Sequence, residues 1–338
     1  MNEAWTLSPG QGPSSLKLSP QQEVALGPED VRVAIKANSI NARDIMIAIG
    51  QSPLPVSDHL IPLSDGAGEV LEVGALVTDF QHGDRVVAAF NPAHIDGPYR
   101  PEMEPSAFGG VASGLLATQV NLPAACLERL PDNVSYEQAA CLPCAGVVAW
   151  NALFETGSVV PGDVVFATGT GAVSLIALGL AKAAGAVFGI SSSDEDKLEQ
   201  ARAMGADFTI NYRTEPNWHE AVRRETNGRG ANVILETIGP PSIAKSVKAT
   251  AQKGRVAQIG FKGADGPPIE VLDMMVSSVS IDPVMVGSRM MLSRLVNAVS
   301  HNQIQIPIAA SFSFSDAPAA FAAARSGEGL GKIVVTHS

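Results

Sequence analysis

The sequence predicts an α/β protein in which a doubly wound parallel sheet follows a mainly β domain. Three observations support this fold class. From Pro161 onward, short apolar strands alternate with helices. A glycine-rich turn, Thr168 to Ser174, joins the first of these strands to its helix. Before residue 126, the chain instead shows β-branched or alternating runs separated by Gly, Pro, Asp and Asn.

The first part of the chain has a strand-rich pattern. Val31 to Ala37, Gly68 to Val73 and Arg85 to Ala89 are β-branched or alternating, which is typical of strands. The segment Asn91 to Gly110 is irregular and rich in Pro and Gly, which predicts an extended loop near a cleft. We therefore expect a separate, mainly β domain here.

The α/β region begins with the apolar strand Val164 to Ala167. A mostly apolar helix, Val173 to Ala184, follows and is closed by Gly185, as expected of a helix packed on a sheet. Further strands are predicted at Ala186 to Ile190, Phe208 to Asn211, Ala231 to Glu236, Arg255 to Ile259 and Val279 to Met285. Further helices are predicted from a Ser192–Glu195 capping box to Met204, at Trp218 to Thr226 and at Ser242 to Ala251.

This alternation also predicts where a ligand binds. Strands that alternate with helices pair in parallel through right-handed crossovers, so ligands bind beyond the carboxyl ends of the strands. The loops at Gly169, Ser192, Thr237 and Gly260 all lie on that edge. We expect the binding residues of this region among them.

The glycine turn, which runs Thr168-Gly169-Thr170-Gly171-Ala172-Val173, is the predicted dinucleotide site. Gly169 permits a tight turn, and Gly171 lets backbone N–H groups approach a pyrophosphate that the helix N-terminus favours electrostatically. The third glycine of the usual fingerprint is replaced by Ser174. A turn of this kind also ends strands in unrelated α/β proteins, but the second strand and helix that follow favour the dinucleotide.

The end of the second strand favours NADPH, with NADH as the alternative. An NAD site usually has a carboxylate there, whereas this chain has Ser191 and Ser192. A hydroxyl can donate to a 2′-phosphate, and Lys197 adds a positive charge one turn later. Against this, Ser192 could serve only as a helix cap, Lys197 could be a surface lysine, and the acids Asp194 to Asp196 repel a dianion.

Composition excludes several classes of function. With 338 residues, 46% of them hydrophobic and 17% charged, the chain can form two domains with sizeable cores. A net charge of −11 repels nucleic acid, and no membrane segment or targeting signal is evident, so we expect a cytoplasmic protein. The three cysteines leave at least one thiol unpaired, which suits a reducing compartment. Cys141 and Cys144 form a CxxC pair, either redox-active or, as we favour, buried and inert.

Six motifs together resemble the medium-chain dehydrogenase/reductase superfamily, and the resemblance covers nearly the whole chain. They are Asn41-Ala-Arg-Asp44, Pro62-Leu-Ser-Asp-Gly-Ala-Gly-Glu-Val70, Gly83-Asp-Arg-Val86, Leu142-Pro-Cys-Ala145, the glycine turn and Gly331-Lys332-Ile-Val334. The resemblance implies a GroES-like domain from residues 1–125 and 289–338. It also implies a Rossmann dinucleotide-binding domain from residues 126–288.

The departures from this family predict that both of its metals are absent. Members with catalytic zinc have Cys at the position of Asn41, His at Ser64 and Glu at Asp65, so only Cys144 matches a ligand-bearing position. A catalytic zinc needs about three protein ligands. The lobe that carries four structural cysteines in many members falls within Asn91 to Gly110, which has none. His59 and His94 are expected to be surface histidines.

A zinc-free pattern resembles the quinone oxidoreductase branch, which implies hydride transfer from NADPH to a small quinone, carbonyl or α,β-unsaturated carbonyl. Asn41 and Asp44 match residues near the nicotinamide, and Asn41 is expected to contact the carboxamide or the substrate. Met46 replaces a tyrosine found in several relatives. Arg43 as an oxyanion donor and Tyr99 as a proton donor are candidate replacements, although each also fits a structural role. Ser64 and Cys144 complete the expected substrate pocket.

The resemblance implies two further cofactor contacts and an oligomer. Tyr212 matches a position that approaches the 2′-phosphate, and Lys332 matches a lysine that reaches the pyrophosphate, with a purely structural role as the alternative for both. Members commonly pair through the last strand of the Rossmann sheet, so a homodimer through Val279 to Val286 is expected. A secondary-alcohol dehydrogenase, an enoyl-thioester reductase and a non-catalytic NADPH-binding sensor remain alternative functions.

Overall fold

The protein is described by a computed structural model that covers residues 2–263, 265–327 and 329–337. The chain divides into two compact units. The first unit comprises Met1–Val147, Val286–Gln303 and Ile308–Ser338, and the second comprises Val148–Met285 and Ile304–Pro307. The first unit thus continues beyond the expected boundary at residue 125. Within this extension, the strand Leu127–Arg129 pairs with the strand Arg85–Ala88.

The secondary structure over the described residues is mixed. The strands are β1 (Glu3–Thr6), β2 (Lys17–Pro20), β3 (Asp30–Ile40), β4 (Asp65–Val73), β5 (Arg85–Ala88), β6 (Gln119–Pro123), β7 (Leu127–Arg129), β8 (Val164–Ala167), β9 (Val187–Ser192), β10 (Phe208–Asn211), β11 (Ala231–Glu236), β12 (Thr250–Gln258), β13 (Ser280–Pro283), β14 (Ile308–Ser313) and β15 (Lys332–Thr336). The α-helices are α1 (Ala42–Ala48), α2 (Tyr136–Ala140), α3 (Val147–Trp150), α4 (Ala172–Ala183), α5 (Glu195–Ala203), α6 (Trp218–Glu225), α7 (Pro240–Ala249), α8 (Val271–Ser277), α9 (Arg289–Asn302) and α10 (Ala317–Ser326).

The second unit contains the predicted doubly wound sheet. Its six strands are parallel and lie in the order β10-β9-β8-β11-β12-β13. The order reverses between β8 and β11, which is where such sheets bind their ligands. The predicted α/β fold class is therefore confirmed, and the glycine turn after β8 lies at this switch point.

Most predicted elements of this unit lie close to their observed bounds. Strands β8, β10 and β11 have the bounds that the sequence predicts. The helix expected at Ser242 to Ala251 instead begins at Pro240 and ends at Ala249, because a proline is well accommodated at the first helical position. The capping box expected between Ser192 and Glu195 is wrong. Asp194 caps α5 instead, and its Oδ1 accepts the backbone N–H of Lys197 at 3.2 Å.

Aromatic packing holds the first three strands of this sheet in place. The ring of Phe166 on β8 stacks 5.4 Å from Trp218 and 6.0 Å from Phe208, measured between ring centroids. Gly189 on β9 leaves room for this arrangement, because an added Cβ would lie 2.1 Å from the Phe208 ring. This packing fixes the position of β8 and of the glycine turn that follows it.

The first unit contains a mainly antiparallel sheet in the order β14-β15-β3-β4-β5-β7, and β6 also pairs with β3. The late strand β15 lies antiparallel to β3, with Val334 opposite Ser39 and Ile333 opposite Ile40. The expected return of the final segment to the first domain is thus observed. A buried cluster that includes Trp5, Ile47 and Phe321 packs α1 and α10 against this sheet.

Candidate functional site

The first unit gathers three buried polar side chains where β3 ends and α1 begins. Asn41 follows β3 directly, Asp65 opens β4, and Lys332 opens β15. The strand register brings them together, because Ser39 pairs with Asp65 while Ile40 pairs with Ile333. We call these three residues, Asn41, Asp65 and Lys332, the elbow cluster.

Asp65 is fully buried and accepts hydrogen bonds at both carboxylate oxygens. Ser64 Oγ donates to Oδ1 at 2.9 Å, while Ser39 Oγ and Asn41 Nδ2 each donate to Oδ2 at 2.9 Å. The ammonium of Lys332 lies 3.8 Å from Oδ2. The charge of this buried carboxylate is therefore balanced by one internal cation and supported by three donors.

Lys332 is also buried, and its ammonium is committed to the same cluster. Lys332 Nζ donates to the backbone oxygen of Ile40 at 2.8 Å and to Asn41 Oδ1. These contacts give the ammonium a structural role in the first unit, and the expected contact of Lys332 with a pyrophosphate stays a prediction.

Asp44 lies beside this cluster, at the first turn of α1. Its Oδ2 accepts the backbone N–H of Asn41 at 2.7 Å, whereas Oδ1 has no hydrogen-bond partner among the described residues. Burial raises the pKa of Asp44 to about 6, an effect that the positive charge of Arg43 opposes. Asp44 can therefore hold a proton close to neutral pH.

Arg43 is engaged by the long loop through one of its guanidinium nitrogens. Its Nη1 donates to the backbone oxygen of Phe108 at 2.8 Å, and its guanidinium lies 5.1 Å from the centroid of the Phe90 ring. These contacts fasten α1 to both ends of the long loop that precedes β6. They give Arg43 a structural role, and its expected role as an oxyanion donor stays a prediction.

Tyr99 is likewise used within the long loop. Its hydroxyl donates to Glu104 Oε2, and its ring packs edge-on against His94 with centroids 5.5 Å apart. Burial, followed by the hydrogen bond to Glu104, raises the pKa of Tyr99 above its ordinary value. The expectation of a Tyr99 proton donor is therefore not supported by the geometry. His94, expected at the surface, is buried, and its Nε2 lies 2.9 Å from the backbone oxygen of Gly97.

The remaining expected pocket residues have less specific surroundings. Met46 lies on α1 and is partly exposed, whereas Ser64 is buried and its hydroxyl donates to Asp65. Cys144 is partly exposed, and burial of its thiol raises the pKa, with Asp65 adding to the effect. Cys141 is buried, and its thiol donates to Glu137 O at 3.1 Å. Both thiols are protonated at neutral pH, which disfavours thiolate chemistry.

The donor set of the elbow cluster does not fit a catalytic zinc. Across residues 2–263, 265–327 and 329–337, no group of three or more His, Cys, Asp or Glu side chains is placed to hold a metal ion. Among Asn41, Ser64 and Asp65, only Asp65 supplies a strong metal ligand, and its partner cation is the Lys332 ammonium.

In the second unit, the glycine turn fits a dinucleotide phosphate. Gly169 has a φ of 95°, a backbone conformation that favours glycine, and its N–H donates to Ser191 Oγ at 3.3 Å. Gly171 precedes α4, and an added Cβ there would meet no atom within 4 Å. No side chain caps this helix start. The first N–H groups of α4 therefore face open space that a phosphate can fill.

Ser192, Tyr212 and Thr170 lie close together at the ends of neighbouring strands. Ser192 Oγ accepts the backbone N–H of Asp194 at 3.2 Å and lies 3.4 Å from Thr170 Oγ1. The backbone N–H of Tyr212 donates to Ser192 O at 3.1 Å, and 37% of Tyr212 is exposed. Lys197 lies one turn into α5 and is partly exposed.

Sequence reasoning missed Arg213, the residue after Tyr212. Arg213 is exposed, and the described structure gives its guanidinium no hydrogen bond or ion pair. It follows β10, whose last residue Asn211 is paired with Ser192. The signal was available, because a cation directly after the third strand stands near the end of the second.

A buried carboxylate shapes the neighbouring loops. Glu236 ends β11, and its Oε1 accepts the N–H groups of Ile238 and Gly239 at 2.9 and 3.1 Å and the Ser242 hydroxyl at 2.6 Å. Thr168 Oγ1, 3.2 Å away, joins this network to the glycine turn. Gly260 packs against the same loop, since an added Cβ would lie 2.2 Å from the backbone of residue 237. Sequence reasoning missed Glu236, although a charge at the end of an apolar strand was visible.

Comparisons with known proteins match both units. Residues 172–301 match the family described as zinc-binding dehydrogenase, and residues 27–132 match the alcohol dehydrogenase GroES-like domain. A zinc-type alcohol dehydrogenase-like protein of Schizosaccharomyces pombe is 36% identical over 316 residues, which cover 92% of this chain and 91% of the relative. The chain belongs to the medium-chain dehydrogenase/reductase superfamily. The predicted resemblance is thereby confirmed.

Solved structures of dehydrogenase/reductases resemble this one along the whole chain. A Sinorhizobium meliloti 1021 protein, provisionally described as an alcohol dehydrogenase, is 35% identical with a TM-score of 0.92, and the match covers 99% of both chains. The quinone oxidoreductase of Pseudomonas syringae pv. tomato DC3000 is 25% identical with a TM-score of 0.82, over 99% of this chain and 100% of that one. This dehydrogenase/reductase is an NAD(P)-dependent oxidoreductase with a GroES-like and a Rossmann domain. None of its described helices is long and apolar enough to cross a bilayer.

Proposed function

We propose that this dehydrogenase/reductase is a zinc-independent, NADPH-dependent reductase of small quinones, carbonyls or α,β-unsaturated carbonyls. The observation that carries the proposal is the elbow cluster. Asn41 and Ser64 stand where zinc-carrying family members have ligands, and the Lys332 ammonium neutralises the one carboxylate there. The chain thus offers hydrogen-bond donors, rather than a metal, to a substrate oxygen.

The nicotinamide, when bound, supplies the hydride. Asn41 retains one amide hydrogen beyond the one that it donates to Asp65, and we assign it to the substrate oxygen or to the carboxamide. Asp44 is our candidate proton donor, because burial raises its pKa to about 6 and its Oδ1 has no hydrogen-bond partner among the described residues. We propose that this proton neutralises the charge that develops on the substrate oxygen.

The preference for NADPH is supported by the end of β9. Ser192, Thr170 and Tyr212 offer hydroxyls, and Arg213 offers a guanidinium that fits a phosphate. The acids Asp194 and Glu195 act against a 2′-phosphate, although the Glu195 carboxylate lies 3.2 Å from Arg202 Nη2. Fluorescence titration with NADPH and NADH at equal ionic strength tests the preference. We expect at least tenfold tighter binding of NADPH, and tighter NADH binding would overturn it.

A secondary-alcohol dehydrogenase is the second candidate, because the Schizosaccharomyces pombe relative is of the alcohol dehydrogenase type. The decisive assay follows NADPH absorbance at 340 nm with a benzoquinone, a cyclic enone, an alkenal and a small ketone, and NADP⁺ reduction with secondary alcohols. The protein is first dialysed against a chelator. We expect quinone or enone turnover that the chelator leaves unchanged. Loss of turnover on chelation and its return with Zn²⁺ would contradict zinc independence.

The same assay separates an enzyme from a non-catalytic NADPH sensor. A sensor binds NADPH and oxidises it with none of the acceptors. An enoyl-thioester reductase would instead turn over a thioester faster than the free enone.

We also propose that the protein forms a homodimer. Strand β13 lies at one edge of the six-stranded sheet and pairs only with β12 among the described residues. The neighbouring helix α8 exposes four large apolar side chains, each about 70% exposed: Val271, Leu272, Met275 and Val276. An edge strand beside an apolar face is suited to pairing with a second copy. Light scattering should give twice the chain mass of 35.0 kDa, and a monomer would refute the proposal.

A further inference from the structure

The elbow cluster contains a cation of its own. We propose that Lys332 is the resident cation of this site and that it sets the orientation of the Asn41 amide toward the substrate. Lys332 is thus a positioning residue that takes over the electrostatic duty of a metal ion. This inference rests on the proposed function, but its first test below requires no substrate.

The first argument concerns the direction of the Asn41 amide. Asn41 Oδ1 accepts from the Lys332 ammonium, and Asn41 Nδ2 donates to the Asp65 carboxylate at 2.9 Å. The reversed amide would place NH₂ against the ammonium and oxygen against the carboxylate, and both contacts would be repulsive. The two charges therefore select one orientation, which leaves the second Nδ2 hydrogen as the donor.

The second argument concerns the electrostatic balance of Asp65. Ser39 Oγ lies 2.9 Å from both Asp65 Oδ2 and the backbone oxygen of Ala140, and a hydroxyl has only one hydrogen to share between them. Asp65 Oδ2 thus receives only a shared hydrogen from Ser39, and Asn41 and Lys332 supply the rest of its stabilisation. An uncompensated carboxylate at a fully buried position is strongly unfavourable, so the ammonium is required for the ionised cluster.

The third argument concerns how the backbone places the ammonium. Gly331 has a φ of 125°, a conformation that side chains rarely adopt, and Lys332 follows it as the first residue of β15. Pairing of Ile333 with Ile40 then directs the lysine to the end of β3, where the Ile40 carbonyl accepts from Nζ at 2.8 Å. The ammonium is therefore fixed by strand pairing rather than by a flexible tail.

Two consequences follow from this arrangement. An ammonium hydrogen bond to the amide oxygen polarises the Asn41 amide, which makes its remaining N–H a stronger donor to a developing oxyanion. The same ammonium repels any divalent cation from Asp65. Lys332 thus explains both the activation of Asn41 and the poor fit to zinc.

The first experiment measures metal binding and needs no turnover. The double variant Asn41→Cys/Ser64→His restores two ligand types found in zinc-carrying members, alongside Asp65 and Cys144. We compare it with the triple variant that also carries Lys332→Met, using Co²⁺ absorption from thiolate coordination and competition with Zn²⁺. Circular dichroism verifies folding of both.

We expect the triple variant to bind one equivalent of Co²⁺ at least tenfold more tightly than the variant that keeps Lys332. Equal affinities, or no binding by the triple variant, would overturn the claim that Lys332 occupies the metal's role. Because this readout is independent of hydride transfer, it stands even if the proposed substrate class proves wrong.

The second experiment separates positioning from mere stability. We compare Lys332→Met, Lys332→Arg and the control Lys17→Met, whose lysine is exposed in the same unit. We expect Lys332→Met to lower kcat at least tenfold per mole of NADPH-binding protein while NADPH affinity changes less than twofold. Lys332→Arg should recover part of kcat, and Lys17→Met should match the parent. A kcat that falls only in proportion to the fraction of folded protein would refute a positioning role.

Discussion

The side chain of Asp44 holds the backbone of Asn41, because Asp44 Oδ2 accepts the Asn41 N–H at 2.7 Å while Oδ1 stays without a hydrogen-bond partner among the described residues. The same asparagine donates its side-chain amide to Asp65. Asn41 therefore contacts two acids. One is Asp44, whose pKa is about 6, and the other is Asp65, whose charge Lys332 balances. This division of roles makes the site testable with conservative substitutions.

The first prediction concerns the pH dependence of Asp44. Because burial raises its pKa to about 6, the proton is held in the folded state and lost as pH rises through 6. Stability from this group is therefore present at low pH, and roughly 1 kcal/mol of it disappears between pH 5 and pH 7. Urea unfolding at both values should show this loss in the parent and not in Asp44→Asn. Equal pH dependence in the two proteins would contradict the assigned pKa.

The variant Asp44→Asn also tests whether Asp44 supplies the proton during turnover. If Asp44 supplies the proton, kcat should fall above pH 6 in the parent, and Asp44→Asn should lose at least tenfold in kcat and show no such limb. NADPH affinity measured by fluorescence is the control and should be unchanged. A parental limb that persists in Asp44→Asn would assign it to another group.

The second prediction concerns His337, whose pKa burial lowers to about 4. Its Nε2 lies 2.8 Å from Asn38 Oδ1, and its ring packs 4.4 Å from that of Phe314, between centroids. Since the folded state resists protonation, stability is present above pH 6.5 and falls as pH drops toward 4, by roughly 2–3 kcal/mol at pH 4.5. His337→Gln should be less stable at pH 7 but lose less on acidification. Thermal unfolding of both proteins at pH 7 and pH 4.5 provides the measurement. Equal losses of stability in the parent and in His337→Gln would contradict the lowered pKa of His337.

The third prediction separates backbone geometry from ligand space in the glycine turn. Gly169→Ala should destabilise the protein by about 1–2 kcal/mol, because its φ of 95° is strained for alanine. Gly171→Val should destabilise the protein by no more than about 1 kcal/mol, since its Cβ enters open space and valine is only a poorer helix N-cap than glycine. It should nevertheless weaken NADPH binding at least tenfold. Retained NADPH affinity in Gly171→Val would place the phosphate elsewhere.

The fourth prediction concerns recognition of the 2′-phosphate. Arg213→Ala should weaken NADPH binding about tenfold, equivalent to about 1.4 kcal/mol for a lost charged contact, and leave NADH binding unchanged. Arg229→Ala is the matched control, because that arginine is also exposed and lies in the same unit. Equal losses for both nicotinamides would indicate a general electrostatic effect, and no loss for either would remove Arg213 from the site.

Local pattern was sufficient for the alternating elements of the second unit. Phe208 to Asn211 and Ala231 to Glu236 were predictable because short β-branched or apolar runs between turn residues have few alternatives. The glycine turn was predictable for the same reason. The predicted start of α7 was two residues late, because Pro240 and Pro241 fit a turn as well as the first turn of a helix.

Long-range contacts limited prediction of the site itself. Arg43 was chosen for its chemistry, but nothing local indicates that the backbone oxygen of Phe108, 65 residues later, already accepts from it. Lys332 lies 291 residues from Asn41, so only the pairing of β15 with β3 reveals that its ammonium is buried. A motif identified these residues, and tertiary packing decided their roles.

The late position of β15 also bears on how the protein is made. A ribosome synthesises Asp65 long before Lys332, so a growing chain can pair β3 with β4 while the countercharge is still untranslated. Until β15 docks, that carboxylate has no internal countercharge and must stay hydrated. The first unit therefore completes its interior only after the second unit has been translated.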